Sequence, residues 1–151
     1  MTINKQKQPF QLVNKTEVAV RFSEVDALGI VWHGHYLKFF EDGREAFGKQ
    51  FELGYLDIHA HQFVVPLVSL NIDFKKTVKY GDTIIIETTY VDSPAAKIIF
   101  NYKLYRTSDM ALVASGESIQ IFMDINEELH ITLPDFFVKW KKKYLLNQTV
   151  E

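Results

Sequence analysis

Three side chains that could carry out acid–base chemistry lie close together in the sequence: Asp26, His33 and His35. A mostly apolar segment, residues 28–32, separates the carboxylate from the two imidazoles. A carboxylate can activate a water molecule or attack a carbonyl carbon itself, and a histidine can exchange a proton near neutral pH. From the pattern alone, however, an aspartate that follows a strand is more often a turn or capping residue.

The histidines also raise a metal site as an alternative, because His33 and His35 form one His-x-His pair and His59 and His61 form another. On a strand, such a pair shares a face and can chelate zinc. His35 lies near a predicted helix start, where residues two apart point in nearly opposite directions. The chain has no cysteine, which excludes thiolate ligands, disulfides and a cysteine nucleophile. We therefore predict no metal site.

The composition favours one domain with a sizeable core, since 47% of the 151 residues are apolar and 14% are aromatic. The net charge of -2 gives no electrostatic reason to expect a nucleic-acid or anionic membrane partner. No segment approaches the ~18 apolar residues of a membrane span, and the N-terminus lacks an apolar signal core. We expect a cytoplasmic protein with a flexible arm, residues 1–10, and a single domain, residues 11–151.

A strand and a helix must position Asp26 and the histidines. Residues 17–22 alternate between polar and apolar types, which predicts a strand. Residues from about 35 to 51 predict a helix, because one face collects Tyr36, Phe40, Gly43, Phe47 and Phe51. A glycine is costly inside a helix. Gly43 therefore indicates that the helix backbone presses closely against a sheet.

The rest of the chain predicts mainly strands, at residues 64–74, 83–91, 97–106 and 111–123, in the spacing of an antiparallel meander. Pro66 indicates an edge strand or a strand start. A short helix is expected from about Pro134, with Thr132 and Asp135 as candidate capping residues and a solvated lysine face. The fold class is therefore α+β, with about five antiparallel strands against one long helix. One helix cannot cover such a sheet, so we expect self-association.

A series of short motifs between residues 17 and 125 also keeps a particular order. It comprises Arg21-Phe22, Asp26-Ala27-x-Gly29-Ile30-Val31-Trp32-His33 with Tyr36, Phe40-Glu41-x-x-Arg44, Leu53-Gly54, Ile72-Asp73-Phe74-Lys75, Val78-Lys79-Tyr80-Gly81-Asp82 and Leu112-Val113-Ala114-x-Gly116. In content and order these motifs resemble the hotdog-fold acyl-CoA thioesterases of the 4-hydroxybenzoyl-CoA and Tol-Pal-associated types.

This resemblance implies a sheet wrapped around the long helix and a homodimer whose two active sites lie at the subunit interface, with homotetramers common. It places Asp26 at the position of the family's catalytic aspartate. It also implies that a backbone N–H near His33, at the helix start, polarises the thioester carbonyl. No cofactor is implied, because CoA is part of the substrate. The family often has Asp-Thr-Asp where this chain has Glu24-Val25-Asp26, and it often has asparagine or a small residue at the position of His35, so the resemblance implies no role for His35.

Physical chemistry is consistent with these roles, because the free N–H groups at a helix start can stabilise an oxyanion. The ring of His33 could contribute as well, and Glu41 and Arg44 are spaced to form an ion pair. The predicted substrate contacts are Gly29, Trp32, Tyr36, Phe40, Glu41 and Lys75. Further candidates for binding the CoA phosphates are Lys76, Lys79, Lys97 and Arg106.

Three functions are compatible with these residues. The leading hypothesis is an acyl-CoA thioesterase, in which Asp26 is the general base or the nucleophile. The second is a module that binds acyl thioesters without hydrolysing them. The third is a hotdog hydratase or dehydratase, in which a histidine and a carboxylate share proton transfer. Trp32 and Phe40 fit either an aryl or a fatty acyl group.

Overall fold

The computed structural model describes residues 11–146, so the predicted arm at residues 1–10 lies outside the described part. In chain order the elements are β1 (Val13–Ala19), α1 (Tyr36–Phe51), α2 (Tyr55–Ala60), β2 (Phe63–Val64), β3 (Leu67–Phe74), β4 (Thr83–Val91), β5 (Lys97–Arg106), β6 (Ala111–Asp124), β7 (Leu129–His130) and α3 (Asp135–Lys141), which a π-helical turn extends over Lys142–Leu146. The predicted α+β class is confirmed. No helix within residues 11–146 is long and apolar enough to cross a lipid bilayer.

The five long strands form one antiparallel sheet in the order β1-β4-β5-β6-β3. The predicted meander is confirmed for β4, β5 and β6, but it is wrong for β3. β3 pairs with β6 because β1 already occupies the free side of β4, from Val13 opposite Thr89 to Ala19 opposite Thr83. β3 is therefore an edge strand that begins directly after Pro66, as the proline indicated. The short strands β2 and β7 both pair with the end of β6.

Helix α1 packs its apolar face against this sheet, as predicted from its periodicity. Its buried residues are Tyr36, Phe39, Phe40, Gly43, Phe47 and Gly48. A Cβ atom added to Gly43 would lie 2.4 Å from Thr88 Oγ1 and 2.7 Å from Ile86 Cγ2. The expected close approach of the helix backbone to the sheet is thus confirmed, and β4 is the strand that it meets.

Helix α3 closes one end of the core with the side chains of Phe137 and Trp140, both of which pack against Tyr90. The helix begins after Pro134, as predicted, but capping by Thr132 or Asp135 is wrong, since no side chain caps it. The carbonyl oxygen of Pro134 instead accepts hydrogen bonds from the N–H groups of Phe137 and Val138. A backbone carbonyl oxygen, and not a side chain, therefore accepts the N–H groups in the first turn of α3.

The indole of Trp140 donates a hydrogen bond of 2.7 Å to the carbonyl oxygen of Phe51, in the last turn of α1. In a Trp140→Phe variant this carbonyl loses its partner in a nearly buried site, at a cost of about 2 kcal/mol. Urea unfolding followed by circular dichroism would measure this loss. Trp32→Phe, at a half-exposed tryptophan, is the matched control. An equal loss in both variants would contradict the assigned role of Trp140.

Candidate active site

Asp26 occupies the first position of a tight β-hairpin that precedes α1. Its N–H donates to the carbonyl oxygen of Ile30 (2.8 Å), and its own carbonyl oxygen accepts from the N–H of Gly29 (3.0 Å). Val25 and Val31 form a β-bridge below this turn. The three-residue loop ends at Gly29, which has a φ of +77°. This pattern is a type I turn followed by a glycine bulge, in which the last loop residue adopts the left-handed conformation.

The carboxylate of Asp26 uses one oxygen to hold this turn. Oδ1 accepts a hydrogen bond of 2.8 Å from the N–H of Leu28, whereas Oδ2 has no hydrogen-bond partner among residues 11–146. The side chain is only partly buried. Asp26 is therefore a turn residue, and it also presents one free carboxylate oxygen at a fixed position.

Gly29, a predicted substrate contact, has a conformational role in this hairpin. Nothing lies within 4 Å of the position that its Cβ would take, so the glycine is needed for its positive φ rather than for a close approach. Contact between Gly29 and a substrate stays a prediction.

The hairpin is tied directly to the start of α1. A 3-10 turn at His33–His35 runs into Tyr36–Phe51, so the helical segment begins at His33, as expected. The first backbone bond of this turn runs from the N–H of His35 to the carbonyl oxygen of Trp32 (2.9 Å). The N–H groups of His33 and Gly34 precede it and have no helical acceptor. The N–H of Trp32 donates to the carbonyl oxygen of Glu24 (3.0 Å), which fixes the hairpin against the turn.

Trp32 folds its indole back over Gly34. A Cβ atom at Gly34 would lie 2.1 Å from the six-membered ring of this indole, so only glycine leaves room for it. The ring centroid lies 4.8 Å from that of His33 and 5.5 Å from that of His35. Nδ1 of His35 is buried without a hydrogen-bond partner among the described residues. His35 thus supports the indole from one side, which accounts for a histidine that the sequence left unexplained.

Replacing Gly34 by alanine should expel the Trp32 indole from its place. Trp32 is 49% exposed, and its indole should become more accessible, because a carbon atom cannot approach the ring to 2.1 Å. Iodide quenching of tryptophan fluorescence would measure this change. In Trp32→Phe only Trp140 fluoresces, so this variant, with and without the Gly34 change, gives the signal of the buried Trp140 to be subtracted. Unchanged quenching of Trp32 in Gly34→Ala would contradict the packing.

The loop that carries three candidate phosphate ligands lies beside the hairpin. The N–H of Val31 donates to the carbonyl oxygen of Val78 (2.7 Å), and Ile30 forms a β-bridge with Lys79. Lys75, Lys76 and Lys79 are all exposed on this loop. The structure therefore places Lys79 beside the hairpin of Asp26, with Lys75 and Lys76 earlier on the same loop.

Arg106, another candidate for phosphate binding, is already committed within the protein. Its guanidinium donates to Asp109 through Nε (3.1 Å) and Nη2 (2.7 Å), and to the carbonyl oxygen of Thr77 through Nη1 (2.9 Å). The bond from Arg106 holds the pKa of Asp109 down at about 2. Arg106 therefore joins two loops, and its guanidinium is already occupied by partners within the protein. Lys97 begins β5 and is half-buried.

Two of the predicted substrate contacts lie in the core of this chain. Tyr36 packs edge-on against Phe74, with 5.0 Å between ring centroids. Phe40 stacks on Tyr102 at 4.3 Å, and the Tyr102 hydroxyl shares a 2.7 Å hydrogen bond with Ser118. Burial raises the pKa of the Tyr36 hydroxyl. Contact of either ring with a substrate would need a local rearrangement and stays a prediction.

A cavity of about 1070 Å³, open to solvent on one side, lies further along α1 and is lined by α1, α2 and the strands β2, β3, β5 and β6. Glu41 and Arg44 stand at its rim, and their predicted ion pair is confirmed at 4.0 Å. Asp26, His33, Trp32 and Lys75 do not line it. The predicted site residues thus lie in three places: at the hairpin and its neighbouring loop, in the core (Tyr36 and Phe40), and at the cavity rim (Glu41).

The cavity wall contains the main part of the site that the sequence analysis missed. Helix α2, with six residues, and strand β2, with two, were not predicted, because such short elements repeat their hydrophobic period too few times to be recognised. One signal was present: Asp57, three residues after Gly54, accepts a 2.8 Å hydrogen bond from the Gly54 N–H and so caps α2.

The histidines outside the hairpin make aromatic contacts. His61 stacks on Phe136 with 4.6 Å between ring centroids, and His59 lies 5.9 Å from Tyr55. Within residues 11–146, no three His, Asp or Glu side chains converge as metal ligands would.

Comparison with known proteins places this architecture among thioesterases. Residues 20–141 match the model of the thioesterase-like superfamily. YneP of Bacillus subtilis, described as a candidate acyl-CoA thioesterase, is 32% identical over 132 residues, which cover 87% of this chain and 95% of YneP. The acyl-CoA thioesterase YbgC of Haemophilus influenzae is 30% identical over 94 residues, 62% of this chain and 69% of YbgC.

Solved structures share the fold. The DHNA-CoA thioesterase of Staphylococcus aureus superposes with a TM-score of 0.80 at 23% identity, over 90% of this chain and 91% of that one. The 4-hydroxybenzoyl-CoA thioesterase of Pseudomonas sp. strain CBS-3 superposes with a TM-score of 0.74 at 23% identity, over 85% and 98% of the two chains. The predicted hotdog architecture is thereby confirmed.

Proposed function

This chain belongs to the thioesterase-like superfamily and is a thioester hydrolase, and from that premise we propose that it hydrolyses an acyl-CoA to a carboxylic acid and free CoA in the cytoplasm. One observation carries the proposal. The hairpin that carries Asp26 and the start of the helix are joined by the hydrogen bond from the Trp32 N–H to the Glu24 carbonyl oxygen. This bond fixes the free oxygen of Asp26 relative to the free N–H groups at the helix start.

In the proposed reaction, Oδ2 of Asp26 takes a proton from water while the water oxygen attacks the thioester carbonyl. A C–O bond forms, the C–S bond breaks, and CoA leaves as a thiolate that takes up a proton. A nucleophilic route, in which Oδ2 attacks first and water then hydrolyses the mixed anhydride, uses the same free oxygen. In either route Oδ1 keeps the carboxylate oriented through Leu28.

The N–H groups of His33 and Gly34 supply the proposed oxyanion site. They lie at the positive end of the helix dipole and have no helical acceptor. Donors fixed before the reaction stabilise the developing negative charge without the cost of reorientation. The exposed lysines Lys75, Lys76 and Lys79, on the loop bonded to the hairpin, are the proposed contacts for the CoA phosphates.

We propose that two copies join through the free edge of β3, so that the active sites form at a dimer interface and dimers further assemble into tetramers. β3 pairs only with β6 in the described chain and exposes Leu67, Val68 and Phe74. Near the hairpin, Leu28 is 83% exposed, and Phe22 and Tyr80 are also exposed. An uncovered edge flanked by large apolar groups favours pairing with another strand.

A lysine at Val68 should weaken this dimer, because a charge on an edge strand disfavours pairing with another sheet. We expect the dimer dissociation constant of Val68→Lys to rise by about tenfold or more. Sedimentation velocity at several concentrations would measure it. Met110→Lys, at an exposed residue on the β5–β6 turn, is the control. A Val68→Lys protein that stays fully dimeric would exclude the β3 edge as the interface.

The function is tested with a panel of aryl and aliphatic acyl-CoAs, in which released CoA is followed with a thiol reagent. We expect release of CoA from at least one member. Tight binding of acyl-CoA without release would favour a binding module instead. Hydration of an enoyl-CoA, followed by loss of its ultraviolet absorbance, would favour a hydratase.

A further inference from the structure

We propose that the cavity along α1 binds an extended aliphatic acyl chain, so that the protein prefers fatty acyl-CoA to aryl-CoA. This inference rests on the proposed function and adds the chemical class of the acyl group. It departs from the aromatic acyl groups in the names of the structural neighbours, because it follows from the lining of this chain's own cavity.

Helical spacing puts the helix start and the rim of the cavity on one stripe of α1. Leu37 lies one turn before Glu41, and Glu41, Arg44, Glu45 and Gly48 follow on the same stripe of α1. Leu37 is 41% exposed, so it offers an apolar surface between the proposed oxyanion site and the cavity rim. From Glu41 to Glu52 the stripe extends about 16 Å at the α-helical rise. An acyl group with its carbonyl at the N–H groups of His33 and Gly34 could therefore run along α1 into the cavity.

Five of the six charged side chains that line the cavity are already in ion pairs. Glu41 faces Arg44 at 4.0 Å, Glu45 faces Lys49 at 3.3 Å, and Glu52 faces Lys143 at 2.7 Å. The side-chain amide of Gln120 donates to the Val65 carbonyl oxygen at 2.9 Å. A hydroxylated aryl group would have to compete with these contacts for its own hydrogen bonds, whereas a hydrocarbon chain would leave them intact.

The remaining lining is mostly aliphatic. Its aliphatic and other non-aromatic apolar members are Leu53, Leu56, Ile58, Val64, Val65, Pro66, Leu67, Ile98 and Met123, and its aromatic members are Tyr55 and Phe100. Gly48 contributes no side chain, and its Cα is held against α2, since an added Cβ would lie 2.7 Å from the Gly54 Cα. The volume of about 1070 Å³ reaches the upper end of ordinary ligand sites, roughly 300–1,000 Å³. A single aryl ring would leave much of this surface without contacts, but a flexible chain can fill it.

The first experiment compares kcat/KM for butanoyl-, octanoyl-, dodecanoyl- and benzoyl-CoA with the wild-type protein. We expect kcat/KM to rise with chain length and dodecanoyl-CoA to exceed benzoyl-CoA by about tenfold or more, since each buried methylene adds discrimination. A preference of similar size for benzoyl-CoA would overturn the inference and leave the proposed thioesterase function standing.

The second experiment fills the cavity. Val65→Trp should lower kcat/KM for dodecanoyl-CoA by about tenfold while leaving butanoyl-CoA nearly unchanged. Met123→Trp fills the same space from β6 and guards against a folding defect at Val65. Ile131→Trp, at a residue that is 84% exposed and does not line the cavity, is the control. An equal effect of both cavity variants on short and long chains would overturn the inference.

A binding measurement separates this inference from the proposed hydrolysis. A dodecyl-CoA thioether cannot be hydrolysed, and calorimetry should show it binding to wild type and about tenfold more weakly to Val65→Trp. That result would support the chain site even if no acyl-CoA were cleaved. Equal binding to both proteins would overturn it even if hydrolysis were observed.

Discussion

Replacing Asp26 by asparagine should lower kcat for acyl-CoA hydrolysis by about a hundredfold to ten-thousandfold, the usual loss when a general base is removed. Asparagine has the same shape, and its Oδ1 can still accept the N–H of Leu28, the bond that holds the turn. The hairpin should therefore persist while the basic, nucleophilic oxygen is lost. Because substrate binding uses other groups, KM should change little.

The matched variant is Asp26→Ala, which loses both the free oxygen and the turn contact. We expect it to be as inactive as Asp26→Asn but less stable by about 1 kcal/mol, the typical worth of one such hydrogen bond. Steady-state kinetics and thermal unfolding of both variants separate the two roles of this carboxylate. If Asp26→Asn cleaves the best substrate as fast as wild type, Asp26 is only a turn residue.

The second large effect is expected at Gly43, where α1 touches β4. Valine at this position should cost about 3 kcal/mol, because its side chain cannot fit where even a Cβ lies 2.4 Å from Thr88 Oγ1. Alanine should cost less, since its better helix propensity, worth about 1 kcal/mol, offsets part of the overlap. Chemical unfolding of wild type, Gly43→Ala and Gly43→Val would show this order.

Lys38→Val is the control for Gly43→Val. Lys38 is exposed on α1, so this change reports the lower helix propensity of valine alone, roughly 0.5 kcal/mol or less. If Gly43→Val and Lys38→Val lose the same stability, the contact between α1 and β4 does not require a glycine.

The sequence predicted α1, β4, β5 and β6 closely because burial imposed a clear period on them, but it placed the first strand at residues 17–22, whereas β1 spans Val13–Ala19. The boundaries of α1, β4 and β5 match the predictions to within one residue, and Gly43 pointed correctly to a helix pressed against a sheet. The order of strands was not predictable in the same way. Whether β3 or β1 pairs with β4 depends on contacts between distant segments, and local alternation does not encode them.

For the candidate site, the motif around Asp26 could be recognised because it is local. The hairpin, its positive-φ glycine and the helix start all lie within residues 25–35. The cavity could not be recognised, since its wall is assembled from α1, α2 and four strands that are far apart in sequence. Nor did the sequence show that Arg106 is occupied by Asp109 and Thr77. Such a contact becomes visible only once the loops are placed.

The strand order has a consequence for how the chain reaches its folded state. The β4–β5 and β5–β6 pairings join neighbouring segments, whereas Val13 must find Thr89 and Leu67 must find Gln120 across long stretches of chain. Closing long loops is slow because its entropic cost comes before any contact compensates for it. We therefore expect the two hairpins of β4, β5 and β6 to form first, with β1 and β3 adding late to opposite sides. The proposed dimer edge, β3, would then exist only in chains that have almost finished folding. Incompletely folded subunits would therefore be unable to form the dimer.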